Sequence, residues 1–277
     1  MTAGGGHFHA LAVTPGLRTI LAGTHIGLFR SEDRGRTWRL AAARFSGEDV
    51  RALAREPRTG VLYAATHGQG LLVSRDAGRR WADDSFGLPG RDVHALTLDP
   101  QEPGAVLVWV VGHGLLRRAA GNQAWERLVG VQMLDAVLGL AATPDPPGWL
   151  YATTETGVLV SHDRGRSWSR PKGGLALRTA SIAVLPWMPE RLLAATSEGV
   201  FQGAADGTRW TPAPAAPEFW GPLQAFAFLD ADSRRVYAVS HEGIVGIWHG
   251  DVTEWVPLAL DSAAPDPRPV TRGGRSR

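Results

Sequence analysis

Apolar positions along this chain fall in runs of four to six residues, each cut off by Gly, Pro, Asp or Ser. Runs of that length between turn residues predict β-strands, and no window of about 12 residues carries a helical period. The runs come in fours. Residues 9–13, 19–23, 28–31 and 37–40 make a first set, designated strands A to D, with Pro15-Gly16 between A and B and Thr24-His25-Ile26-Gly27 between B and C. The same order returns at 50–54, 61–65, 70–73 and 80–81, and strand A recurs at 93–97, 137–141, 181–184 and 224–228. Trp38, Trp81, Trp125, Trp168, Trp210 and Trp255 recur with it, 42 to 45 residues apart. A period in this range marks one small unit laid down repeatedly, here six times.

A four-stranded antiparallel unit cannot bury both faces alone, and stacking such sheets around an axis solves this while shortening exposed edges. The expected fold is an all-β, six-bladed β-propeller with blades near 7–45, 49–87, 92–130, 135–175, 178–217 and 221–260. The chain opens on a strand A and closes on a strand D. No exchange of strands between the termini is therefore expected, and closure of the ring rests on packing between the first and last blades.

Three tryptophans end near-identical stretches between strands C and D: Ser31-x-Asp33-x-Gly35-x-x-Trp38, Ser74-x-Asp76-x-Gly78-x-x-Trp81 and Ser161-x-Asp163-x-Gly165-x-x-Trp168. Ser and Asp can bind backbone N–H groups of a tight turn, Gly supplies a positive φ, and Trp packs between blades. The stretch resembles the Asp-box of the BNR-repeat propellers, a group that includes sialidases, sortilin-type receptors, xyloglucan hydrolases and photosystem II assembly-type propellers. Unit two departs from it with Arg80 where the box has Thr or Ser, and units three, five and six keep little beyond Trp. His7-Phe-His9-Ala-Leu-Ala12 together with Ala22-Gly-Thr-His25-Ile-Gly-Leu-Phe29 is also similar to bacterial propellers described as glycosyl hydrolase-like BNR proteins. The resemblance implies a structural role for the boxes, on the face opposite any site.

Composition narrows the chemistry. No cysteine is present, so disulfides and thiolate metal sites are excluded. The formal net charge is +2, but Arg268, Arg272, Arg275 and Arg277 against Asp261 and Asp266 leave 25 basic and 25 acidic residues in 1–260. No broad field for phosphates follows, so no nucleic-acid partner is expected. The 261–277 segment, rich in Pro, Gly, Ser and Arg, is expected to be disordered. No run reaches the roughly 18–20 apolar residues of a membrane span, and no secretory leader is visible, so a cytoplasmic location is expected. Arg34, Arg36, Arg79, Arg80, Arg164 and Arg166 are expected to form a solvated rim on the box face.

Resemblance to sialidases implies a tyrosine nucleophile. Tyr63, Tyr151 and Tyr237 all fill the same slot of strand B, which is a packing position, so the tyrosine mechanism is not expected. Histidines carry more information. His7, His9, His25, His67, His94, His113 and His241 fall on B–C turns or near the start of strand A, all on the face designated the top. The B–C turns hold His25, His67, His113 and His241, with Glu155 and Glu198 in the remaining blades and Glu242 beside His241. The slot of Arg51 near the start of strand A is filled elsewhere by His9, His94, Leu138, Ala180 and Gln224.

These residues outline a polar pocket at the channel mouth, with His9 and His94 its best-placed members. Neutral imidazoles and carboxylates there can ligate a divalent metal, for which His67 and His113 are candidates, or move protons near neutral pH. Trp220 is a candidate platform for a sugar ring. The resulting expectation is a binding scaffold for a protein partner or a saccharide-like ligand. The alternative is a glycoside hydrolase or metal-assisted lyase, with no catalytic residue assigned.

Overall fold

The computed structural model describes residues 7–128, 137–213, 222–228, 234–249 and 255–258. Strands in these stretches form six sheets built from consecutive segments. Blade 1 holds β1 (Phe8–Val13), β2 (Ile20–Thr24), β3 (Gly27–Ser31) and β4 (Arg39–Leu40). Blade 2 holds β5 (Val50–Arg55), β6 (Leu62–Thr66), β7 (Leu71–Ser74) and β8 (Ala82–Asp83). Blade 3 holds β9 (Val93–Leu98), β10 (Val106–Val110), β11 (Gly114–Arg118) and β12 (Glu126–Arg127). Blade 4 holds β13 (Val137–Ala142), β14 (Leu150–Thr154) and β15 (Gly157–Ser161). Blade 5 holds β16 (Thr179–Leu185), β17 (Met188–Thr196), β18 (Gly199–Ala204) and β19 (Trp210–Pro212). Blade 6 holds β20 (Leu223–Ala227), β21 (Arg235–Ser240), β22 (Val245–His249) and β23 (Trp255–Pro257).

All pairings within a blade are antiparallel, and the first strand of each packs on the first strand of the next around the ring, β20 returning to β1. The outer strand is the weakest element. In blade 4 it reduces to one bridge between Val160 and Ser169. In blades 1 to 3 it is two residues long and begins just after the periodic tryptophan, at Arg39, Ala82 and Glu126. No helix among the described residues is long and apolar enough to cross a membrane.

The core is six apolar seams, one between each pair of neighbouring blades. Between blades 1 and 2, Leu21, Leu28 and Phe45 meet Val50, Leu62 and Leu72. The ring closes where Phe8, Leu11 and Ile20 of blade 1 meet Tyr237, Val239 and Ile247 of blade 6. Each buried aliphatic or aromatic side chain contributes about 1.5–3 kcal/mol, so a seam outweighs any single turn. Each of the six periodic tryptophans packs on the seam with the preceding blade. Among the other tryptophans, Trp109 and Trp248 are buried, whereas Trp149 and Trp187 are only half-buried.

The C–D turns show why their residues recur. Ser31 Oγ accepts from the Gly35 N–H at 2.8 Å and donates to Asp33 Oδ1 at 2.8 Å. Asp33 accepts in turn from the Thr37 N–H at 2.8 Å and the Thr37 hydroxyl at 2.5 Å. Ser74, Asp76 and Gly78 repeat this pattern, as do Ser161, Asp163 and Gly165. Gly35 sits at φ +80° behind Arg34 at φ 62°, two left-handed residues in succession. The indole N–H of Trp81, Trp168 and Trp210 donates to the carbonyl of the glycine three residues earlier, so blade 5 keeps this bond despite its divergent turn.

Candidate functional site

The antiparallel register slips by one residue near the start of every inner strand. The slip lies between Phe8 and Ala10, Val50 and Ala52, Val137 and Gly139, Thr179 and Ser181, and Leu223 and Ala225. In blade 3, Trp109 and Val110 pair with Ala95 and Val93. A bulge leaves one residue unpaired and re-aims its side chain. The extra residues are His9, Arg51, His94, Leu138, Ala180 and Gln224, and all six line one cavity of about 460 Å³ at the channel mouth.

The cavity has two sides. Blades 1 to 3 supply His9, Arg51 and His94; blades 4 and 5 supply Val137, Leu138 and Ala180 with the hydroxyls of Thr196 and Ser197, and blade 6 supplies Gln224. His7, His25, His241 and Arg178 add further donors at the rim. No carboxylate lines the cavity among the described residues. Deeper in the channel the space narrows to about 100 Å³ beside Leu53, Leu96, Leu140, Ile182 and Phe226.

The carboxylates stand behind this wall, in a contact that repeats between blades. The first residue of a B–C turn reaches the residue that precedes strand A of the next blade. His25 Nδ1 lies 3.0 Å from Asp49 Oδ2, and His67 Nδ1 lies 3.0 Å from Asp92 Oδ1. The same positions pair Glu155 with Arg178 at 2.9 Å and stack His241 on His7 with ring centroids 3.8 Å apart. On the bulge ring, His9 Nε2 approaches Asp49 Oδ1 at 2.9 Å and Arg51 Nε lies 3.3 Å from Oδ2. His94 Nε2 lies 3.0 Å from Asp92 Oδ1.

These contacts fix the charge states. Burial alone would raise the pKa of Asp49, but its hydrogen bonds to His9 and His25 and the nearby Arg51 hold it at about 2. Burial lowers the pKa of His9, against the opposing pull of Asp49. Burial and the Arg51 cation lower that of His94. At neutral pH His9 and His94 therefore stand in the wall as neutral imidazoles, His9 against an ionised Asp49.

The expected site residues divide accordingly. His9, His25, His94 and His241 come together at the cavity. His67 does not line it but joins Asp92 and His94. His113 stands apart, its carbonyl accepting from Arg127 Nε at 2.8 Å, and it belongs to neither candidate metal group among the described residues. Of the acids, Glu155 holds Arg178, Glu242 lies 3.5 Å from its neighbour His241, and Glu198 is exposed outside the cavity lining. Trp220 and the 261–277 tail lie outside the described residues. Tyr151 and Tyr237 are fully buried, and burial pushes the Tyr151 hydroxyl further up.

Sequence reasoning missed Asp49, Asp92 and Arg178. Superposing the repeats does hold their signal: residues 7, 49, 92 and 178 all precede a strand A, and each meets a B–C turn residue of the blade before it.

No protein-family model matches the chain, and no curated protein matches it. Similarity appears among solved structures. The GH74 xyloglucanase of Xanthomonas campestris aligns at 17% identity and TM-score 0.58, covering 90% of this chain and 47% of that one. The GH74 enzyme of Niastella koreensis aligns at 16% and 0.56, covering 88% and 37%. The extracellular domain of a one-component system from B. thetaiotaomicron aligns at 14% and 0.61, covering 93% and 34%. The chain thus spans less than half the length of each, and identities this low show shared propeller architecture alone.

Proposed function

We propose that this chain is an Asp-box propeller of the BNR type that acts as a binding scaffold. Its top cavity takes a small, oxygen-rich, saccharide-like ligand with one apolar face. The observation that carries this reading is the bulge ring, with the donors His9, Arg51 and His94 from blades 1 to 3 and the apolar Leu138 and Ala180 from blades 4 and 5. A volume of about 460 Å³ falls in the range of small-molecule pockets. Guanidinium and imidazole donors suit hydroxyl and carboxylate oxygens, and Leu138 and Ala180 suit the C–H face of a sugar ring. An acidic monosaccharide satisfies both sides. Glucuronate, with glucose as the neutral comparison, is the probe for calorimetric titration. Glucuronate is expected to bind more tightly. Arg51→Ala is expected to weaken it about tenfold or more, the loss of one charge-assisted hydrogen bond of about 1.5–3 kcal/mol. Equal affinity for both sugars, or an Arg51→Ala variant that binds as well as the parent, would overturn the proposal.

A second reading has its own observation. His9 lines the cavity as a neutral imidazole oriented by Asp49, which is the arrangement of a general base. A hydrolase or lyase built on it would turn over a polysaccharide substrate and would lose that turnover in His9→Ala. Absence of turnover on xyloglucan and on uronate polymers removes this reading.

A further inference from the structure

We infer that His9, His25 and Asp49 form a binding site for one divalent transition-metal ion of the zinc class, in the wall of the top cavity. Three potential ligand atoms, one from each residue, lie within 4.8 Å of one another. The two imidazoles address different oxygens of one carboxylate, His9 Nε2 at Oδ1 and His25 Nδ1 at Oδ2. Ligands about 2.0–2.2 Å from a common ion, at angles between octahedral and tetrahedral, stand about 2.9–3.5 Å apart. Each imidazole nitrogen has one carboxylate oxygen at that spacing, 2.9 Å for His9 and 3.0 Å for His25.

The donor chemistry selects the metal. Two imidazoles and one carboxylate suit zinc, iron(II), cobalt or nickel, whereas calcium and magnesium take oxygen ligands. No thiolate exists anywhere in the chain to favour copper(I). A metal-ligating imidazole keeps its proton on the ring nitrogen away from the ion, so the ligating nitrogen presents a lone pair. Three protein ligands leave further coordination positions for water or a bound oxygen.

The neighbouring trio, His67, Asp92 and His94, is built one blade further on and is more exposed. Both of its nitrogens approach the same oxygen, Asp92 Oδ1, and its His67 side chain is 62% exposed. It serves as an internal comparison. The Arg51 guanidinium, 3.3 Å from Asp49 Oδ2, opposes a cation at the first site, so its removal should tighten metal binding. That sign is opposite to the effect of Arg51→Ala on glucuronate, so failure of either proposal is seen separately.

The test is a titration of the chelator-stripped full chain with Zn²⁺ alone, followed by calorimetry, and with Co²⁺ alone, followed by visible absorption. One equivalent is expected, with cobalt bands of nitrogen–oxygen coordination. Losing even an outer-sphere partner of a metal site costs about 10–100-fold, so His9→Gln and His25→Gln should each weaken binding at least about tenfold. Arg51→Ala should strengthen it. The parent titration needs no variant to fold, so a stripped parent that binds no equivalent overturns the inference outright. An equivalent that persists in His9→Gln and His25→Gln, or that disappears in His67→Gln instead, overturns it equally.

Discussion

Two imidazoles and one guanidinium converge on the Asp49 carboxylate, and this makes its protonation a measurable part of folding. Its pKa is held at about 2 against an ordinary 3.8. A depressed acid contributes its stability fully above the ordinary value and loses it as pH falls through the folded one. The window is therefore about pH 4 down to pH 2, and the amount is on the order of 2 kcal/mol. His9 acts in the same direction at higher pH, since its lowered pKa makes protonation work against folding below its ordinary 6.5. Asp49→Asn should lose stability at neutral pH and lie closer to the parent as pH drops through that window, as read by denaturant midpoints. A gap that stays constant down to pH 2 counts against this assignment. At this scale the sequence was only half legible. Histidines stood out because they are few and cluster at turns. Asp49 and Asp92 looked like ordinary polar residues between strands, because their partners lie in the adjoining blade.

Strands and turns were easier to read, since each apolar run is bounded by residues that cannot continue it. The tryptophan period also set the phase of every blade. The bulges escaped notice because inserting one residue changes neither composition nor period enough to be seen. Close approach between elements was also hidden. Gly23 in β2 has no side chain because a Cβ there would lie 2.5 Å from the Val50 carbonyl oxygen and 2.9 Å from Ala10 Cβ. Gly23→Ala must push β5 away from β2, and overpacking of this kind costs about 1–3 kcal/mol. A thermal melt checks it, and an unchanged midpoint would show that the seam between blades 1 and 2 has slack.

For the molecule as a whole, no strand of one blade pairs into another among the described residues, so closure depends on apolar packing. Phe8 is central to it. It is 4% exposed, its ring lies 5.8 Å from that of Trp38, and Gly243 in blade 6 leaves room for it. Phe8→Ala should cost about 3–5 kcal/mol, the range for truncating a buried aromatic residue. It should also lower the melting temperature without altering the turns of blades 2 to 5. Near-parent stability would mean that the ring is held elsewhere. Closure also joins residues far apart in the chain: His241 stacks on His7 because the ring brings blade 6 against blade 1.

The ring of bulges has an evolutionary consequence. Each blade submits one side chain to the cavity from a position whose direction is set by backbone register rather than by residue identity. His, Arg, Leu, Ala and Gln already share that position within one molecule. The lining of the cavity can therefore change one blade at a time while the seams that hold the fold stay untouched.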